Sequence, residues 1–297
     1  MAETFPNDTP QERALREFAA MVVGEDSAIN LALAALLIAN LQYPGLDVAH
    51  YMAQLDSLAD RARELLGLPG TDTSSPIPQG TDLLAVIEAM NTVLFDQEHF
   101  QGDTEDYYNP SNSFLNDVLE KHTGIPITLS LLYIEVGKRL GVHFDGIGLP
   151  YHFVVGCRLE QRRIFIDPFE SGLLLSEEEC RERVRQMIGG RGKIHAHWFE
   201  PISRKFLLVR MLNNLKHIYL DKEDYSRAVL MSDCILLLVP RSPLERRDRG
   251  IIHLHLKQYG RALHDLTAYT QLAPHAEDHD EILRQVKIIR QIMAMMN

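Results

Sequence analysis

Three residues near the C-terminal end recur at one fixed displacement: Tyr225, Ala228 and Pro240 return as Tyr259, Ala262 and Pro274, each 34 residues on. A period of that length means one pair of antiparallel helices per unit, stacked on the next pair. The alanines let helices approach closely, and each proline ends the second helix of its unit. The region 201–297 is therefore read as all-helical, closing on a helix over Ile282 to Met296.

The N-terminal two thirds reads differently. Thr9-Pro10-Gln11-Glu12 is a helix start with a hydroxyl cap, proline at the first helical position and glutamate three residues after the cap. Helices follow from about Ser27 to Leu41, and from Asp47, where Val48, Met52, Leu55, Leu58, Ala62 and Leu65 form one stripe. Another runs from about Asp82 to Phe95. The stretch 67–80, GLPGTDTSSPIPQG, reads as a linker. Ser113 is expected to cap the helix of Asp117, and a further helix runs from Pro126 to about Leu140. The period then shortens, with strands expected over Val142–Gly148, Tyr151–Leu159 and Arg162–Asp167. Ser176 with Glu179 opens a helix to about Met187.

Composition narrows the function classes. The net charge is −11, from 30 basic against 41 acidic side chains, which argues against direct nucleic-acid binding. Cys157, Cys180 and Cys234 are too few and too irregularly spaced for a disulfide framework or a zinc knuckle. No basic segment followed by an apolar run opens the chain, and the apolar stretch Ala28 to Leu41 is too short to span a bilayer. A cytoplasmic location, with no membrane contact and no cofactor, is expected.

The chemistry-bearing residues lie in the middle of the chain. Gly124-Ile125-Pro126-Ile127-Thr128-Leu129-Ser130 opens a helix, His152 follows on a strand, and Asp167-Pro168 ends the next strand. Together with Tyr107-Tyr108-Asn109-Pro110-Ser111-Asn112-Ser113, Gly148-Leu149-Pro150-Tyr151-His152-Phe153 and Glu245-Arg246-Arg247-Asp248-Arg249-Gly250, this order resembles the SirB-type bacterial family. That family joins a transglutaminase-like domain of the papain fold to tetratricopeptide repeats, in which Gly250 stands at a small-residue position. The resemblance implies a helix N-terminus that lowers a thiol pKa, a histidine that takes its proton and a carboxylate that orients the imidazole. Here the cysteine position falls on Pro126, which carries no nucleophile. It also implies a regulatory role, exerted through a protein partner because no DNA-binding motif is present.

Each candidate has a plainer reading. An imidazole N–H at Nδ1, donated to Asp167, would satisfy both groups and stabilise the hairpin without any catalysis. Thr128 and Ser130, whose hydroxyls could stand in for the thiol, sit in the first helical turn and read more simply as a cap and as a small residue packed against the hairpin. Asn109, Asn112 and Tyr151 would line a polar binding cleft, although turn formation explains the asparagines equally well. His195 and His197 would face one side of an extended segment, but a third metal ligand is missing. His253 and His255 diverge on a helix.

The expected architecture is α+β: a helical N-terminal region with a papain/transglutaminase-like helix-plus-antiparallel-hairpin core, then an all-α tetratricopeptide-like array. The expected boundaries are 1–200 (helical 10–66, linker 67–80, core 81–200) and 201–297. The expected function is a non-catalytic binding or adaptor protein that takes a protein or peptide partner. The alternative is a hydrolase or acyltransferase using a hydroxyl or water with His152 and Asp167.

Overall fold

The computed structural model describes residues 9–68, 77–78, 80–159, 162–190 and 192–296. Most of the stretch read as a linker therefore lies outside the described residues. The chain divides into two compact units, Met1–Leu208 and Val209–Asn297, with the division falling inside a helix.

In the first unit, α1 (Pro10–Val22) starts at the cap read from the sequence: the Glu12 amide donates to Thr9 Oγ1 at 3.2 Å, and the Thr9 amide to Glu12 Oε2 at 2.9 Å. A 3₁₀ turn over Asp26–Ala28 precedes α2 (Leu31–Gln42), whose LALAALLIANLQ sequence is buried along almost its whole length. An apolar surface on every side makes α2 a central helix rather than a covering one. α3 (Val48–Leu65) is capped by Asp47. α4 (Leu83–Asn91) continues through Gln97 as a π-helical turn, then α5 spans Leu115–Lys121. The cap of α5 is Phe114, not Ser113. Ser113 instead ends a 3₁₀ turn over Pro110–Ser113, because Asn109 caps that turn through its side chain and uses the polar residues one turn earlier.

α6 (Pro126–Arg139) is the spine of this unit and is buried from Pro126 to Gly137. It packs against α2, α3 and α5 on one side and the sheet on the other. Gly137 is required there, since an added Cβ would lie 2.3 Å from the Phe144 ring. Two short strands, β1 (Gln101–Gly102) and β2 (Thr123–Gly124), pair in parallel. The main sheet is β3 (Asp145–Ile147), β4 (Val154–Leu159), β5 (Arg162–Asp167) and β6 (Leu173–Ser176), antiparallel and in sequential order. The sequence reading located three of these strands and missed β6. α7 (Glu177–Met187) starts on the Ser176–Glu179 capping box.

The second unit begins within α8 (Arg204–Asp221) and continues with α9 (Tyr225–Leu238), α10 (Pro243–His255), α11 (Tyr259–Leu272) and α12 (His279–Met296). Ala228 and Ala262 are fully buried, and Pro240 and Pro274 follow the ends of α9 and α11. At Gly250 an added Cβ would sit 2.7 Å from Leu266, so only glycine allows α10 and α11 to close on each other. The apolar centre here joins Ala262, Leu266 and Tyr269 of α11 to Ile282, Val286 and Ile289 of α12. The charges around Gly250 are paired across helices. Lys216 donates to Glu245 at 2.7 Å, both side chains being buried, and Arg249 reaches Asp265 and Asp233 at 2.7 Å each. The run Glu245–Arg249 is thus partly interior. Among the described residues no helix is long and apolar enough to cross a membrane.

Candidate functional site

The start of α6 is built by close backbone approach. At Gly124 a Cβ would meet Thr128 Oγ1 at 3.0 Å, with Leu129 and Val118 at 3.2 Å. Thr128 is fully buried; its hydroxyl donates to the Asn112 carbonyl at 2.7 Å and accepts from the Ile125 amide at 3.1 Å. That hydroxyl therefore ties the 3₁₀ turn of Pro110–Ser113 to the helix start and satisfies one orphan amide. Pro126 occupies the first helical position, where the missing N–H costs nothing. One turn further on, Ser130 Oγ lies 3.5 Å from the Phe153 carbonyl, just before β4; His152 precedes that strand instead of lying on it as expected, because the turn at Pro150–Tyr151 delays the start of pairing to Val154.

His152 follows a tight turn. Its amide donates to Leu149 O at 3.3 Å, Pro150 takes the second turn position, and Tyr151 takes the third with φ of 58°. This is the type II pattern, in which the third position normally goes to glycine or asparagine. Tyr151 nevertheless projects into solvent and is 83% exposed.

His152 Nε2 lies 2.8 Å from Oδ2 of Asp167, whose side chain is fully buried. The nitrogen is Nε2 and not the Nδ1 expected from the sequence: the ring reaches the end of β5 with its far edge. Asp167 also accepts the Phe169 amide at 3.2 Å and meets the Arg183 guanidinium at 3.5 Å. Sequence reasoning missed Arg183, because nothing local marks an arginine on α7 as a partner for the end of β5. It also missed Phe169, whose ring stands edge-on to His152 with centroids 6.1 Å apart. The small residue at Gly102 allows this ring to settle, since an added Cβ would lie 2.5 Å from it.

The loop before α5 closes the other side. Asn112 is buried and donates to Asp103 Oδ2 and to the Asp106 carbonyl, both at 2.9 Å; Asn109 donates to Asp106 Oδ2 at 2.9 Å. The Asp106 amide, with help from Asn112, holds the Asp103 carboxyl below the ordinary carboxylate range. Asn109 and Asn112 thus serve as internal braces of this loop, and Tyr107 and Tyr108 are presented by it.

The three cysteines are elsewhere and buried. Burial pushes the Cys157 and Cys180 thiols up to about 12 and raises that of Cys234 as well. Among the described residues no cluster of three His, Cys, Asp or Glu is placed to hold a metal. His195 and His197 flank the start of a 3₁₀ turn rather than an extended segment, with Trp198 packed against both rings. His253 is buried against Gln258, while the exposed His255 stacks on Tyr225.

Residues 49–213 match the family described as the transglutaminase-like superfamily. A UPF0162 protein of Xylella fastidiosa (strain 9a5c) is 35% identical over 261 residues, covering 87% of this chain and 89% of that one. This chain is a transglutaminase-like protein of the UPF0162 family. The SirB-type resemblance carried by its motifs therefore holds across nearly the whole chain. A UPF0162 protein of Vibrio cholerae is 28% identical over 209 residues, covering 70% of this chain and 77% of that one. The transglutaminase-like part also resembles human F-box only protein 21, at 32% over 180 residues, or 55% of this chain and 28% of that one. Residues 215–287 match the tetratricopeptide repeat family. No solved structure matches the chain.

Proposed function

We propose that the transglutaminase-like domain is a peptide- or protein-binding module in which the His152–Asp167 pair shapes and stiffens the site instead of performing acyl transfer. The observation that carries this reading is Pro126 at the first position of α6, the position to which the family resemblance assigns the thiol. The hydroxyls nearby do not compensate: that of Thr128 is buried and engaged by the Ile125 amide and the Asn112 and Ile125 carbonyls, and that of Ser130 is buried beside the Phe153 carbonyl. The native thiols are buried and resist ionisation, which removes their nucleophilic form. The tetratricopeptide array supplies a second protein contact, a common use of such repeats. Any influence on gene expression is then exerted through a protein partner in the cytoplasm.

One observation favours a second reading. The imidazole–carboxylate geometry expected of a general base and its orienting group is intact at 2.8 Å. A hydrolase or acyltransferase using a hydroxyl or water would need no more than this from the pair. The deciding experiment assays the purified full chain against amide and ester substrates, beside a His152→Ala control. The binding reading expects no turnover in either protein, with peptides captured by the wild type and more weakly by the control. Turnover by the wild type that disappears in the control would establish the enzyme instead.

A further inference from the structure

The face around His152 is unusually rich in rings for a solvent-facing surface. Tyr108 and Tyr107 meet edge to face at 5.3 Å, Tyr107 meets Phe169 at 6.4 Å, and Phe169 meets His152 at 6.1 Å. This is a continuous run of four rings, and it begins in the open, with Tyr108 at 71% exposure. Tyr151, next to His152 in the chain, carries a further ring that is almost wholly exposed. Its left-handed backbone is unfavourable in a residue with a Cβ, and so exposed a ring recovers little of that cost by packing. Such a residue at a turn that favours glycine points to a use for the ring in solution.

The charges that flank these ring residues along the chain all have one sign. Asp103, Glu105 and Asp106 lead into Tyr107, and Glu170 follows Phe169. The partners of Asp103 and Asp106 are amide N–H groups, which fix the carboxylates without neutralising them. Among the described residues no lysine or arginine pairs with these four. Arg183, the cation built into this site, faces Asp167. Ring faces carry negative quadrupole density and attract a cation within about 6 Å, more strongly when carboxylates stand nearby. Phosphate-rich partners, whether nucleic acid or an anionic lipid surface, would be repelled by the same charges.

We infer that this ring-lined face takes a peptide segment presenting a lysine or arginine, its cationic group lying over Tyr107, Tyr108 and Tyr151 and facing Asp103, Glu105, Asp106 and Glu170. The inference rests on the peptide-binding reading above and adds the chemistry of the occupant. Specificity for a basic side chain comes from the rings and carboxylates together, while His152 and Asp167 fix the floor beneath Phe169.

The test uses the full chain and fluorescent peptide pools of mixed flanking sequence with one fixed central residue: lysine, arginine, norleucine or glutamate. Fluorescence anisotropy is expected to show the basic pools bound about tenfold tighter than the norleucine pool, with the difference shrinking as salt rises. The double variant Glu105→Gln/Glu170→Gln touches exposed side chains only and should erase the preference while leaving norleucine binding in place. Tyr151→Gly and Tyr108→Ala should weaken the basic pools most. If the norleucine or glutamate pool binds as well as lysine, the inference falls and the binding module stands. If no pool binds, both fall.

Discussion

Nε2 of His152 and Oδ2 of Asp167 are 2.8 Å apart, and the carboxylate is wholly removed from solvent. A buried carboxylate needs its donors, because stripping one away leaves charge in a poorly solvating interior. The pair is therefore a structural commitment as well as a chemical one, whatever the site binds.

His152→Ala is expected to destabilise the chain by about 2–3 kcal/mol, since Asp167 would keep only the Phe169 amide and the longer contact to Arg183. The double variant His152→Ala/Asp167→Asn should cost less than the sum of the two single changes, because it no longer strands a charge. Urea unfolding of the four proteins measures the coupling. Additive costs would mean that the carboxylate does not depend on the imidazole.

The buried thiols predict an alkaline weakness. Each has its pKa raised by burial from an ordinary 9.0, to about 12 for Cys157 and Cys180 and upward for Cys234. Below about pH 9 they are neutral in both the folded and unfolded chains, so their contribution to stability is complete. As pH climbs from about 9 toward 12 the unfolded chain releases protons that the folded chain retains, and stability falls. Tyr51 and Tyr133, also raised, act in the same direction. Melting temperatures taken between pH 8 and 10.5 should fall more steeply for the wild type than for Cys157→Ala/Cys180→Ala/Cys234→Ala. Parallel slopes would show that the thiols are solvated.

Within the helical array, Lys216 and Glu245 form a buried pair, with Asp248 at 3.3 Å and Glu245 Oε1 lacking a protein partner. Lys216→Met should cost about 3–5 kcal/mol by leaving the carboxylate uncompensated. Lys216→Met/Glu245→Leu should regain most of that loss, since well-packed apolar replacements of a buried pair are often neutral. Thermal unfolding of both variants decides it; an equally unstable double variant would mean that the pair also sets the helix register.

What the sequence revealed follows from the range of the forces involved. The caps at Thr9, Asp47 and Ser176 are set by side chains three residues from the amides they accept; those at Thr9 and Ser176 were readable, and the helix start at Asp47 with them. The helical repeat was readable because the same packing problem is solved twice at a fixed period. β6 was not, since Leu173, Leu174 and Leu175 lack the alternation that marks a half-buried strand. The cap at Ser113 failed because Asn109 takes the preceding turn and shifts the helix start by one residue. Within the site, His152 and Asp167 were legible from their order along the chain. Arg183, the seating of Phe169 over Gly102 and the Lys216–Glu245 pair depend on contacts between distant segments and left no local signal.

The sharpest test of the binding reading is to place a thiol at the start of α6. Pro126 is the first residue of α6, where unpaired amides and the helix dipole favour a negative charge. A thiol placed there by Pro126→Cys should ionise more easily than the native three, which burial holds protonated. Iodoacetamide at neutral pH is therefore expected to label that one position rapidly and the native thiols only after unfolding. The labelling rate should fall when His152→Ala is added, because the imidazole would no longer stabilise the thiolate. Rapid labelling that ignores His152 would mean that the helix start is preserved but not aimed at the imidazole. An unreactive thiol in the Pro126→Cys variant would place the first turn of α6 outside the superfamily's chemical geometry altogether, and the likeness would then extend to architecture alone.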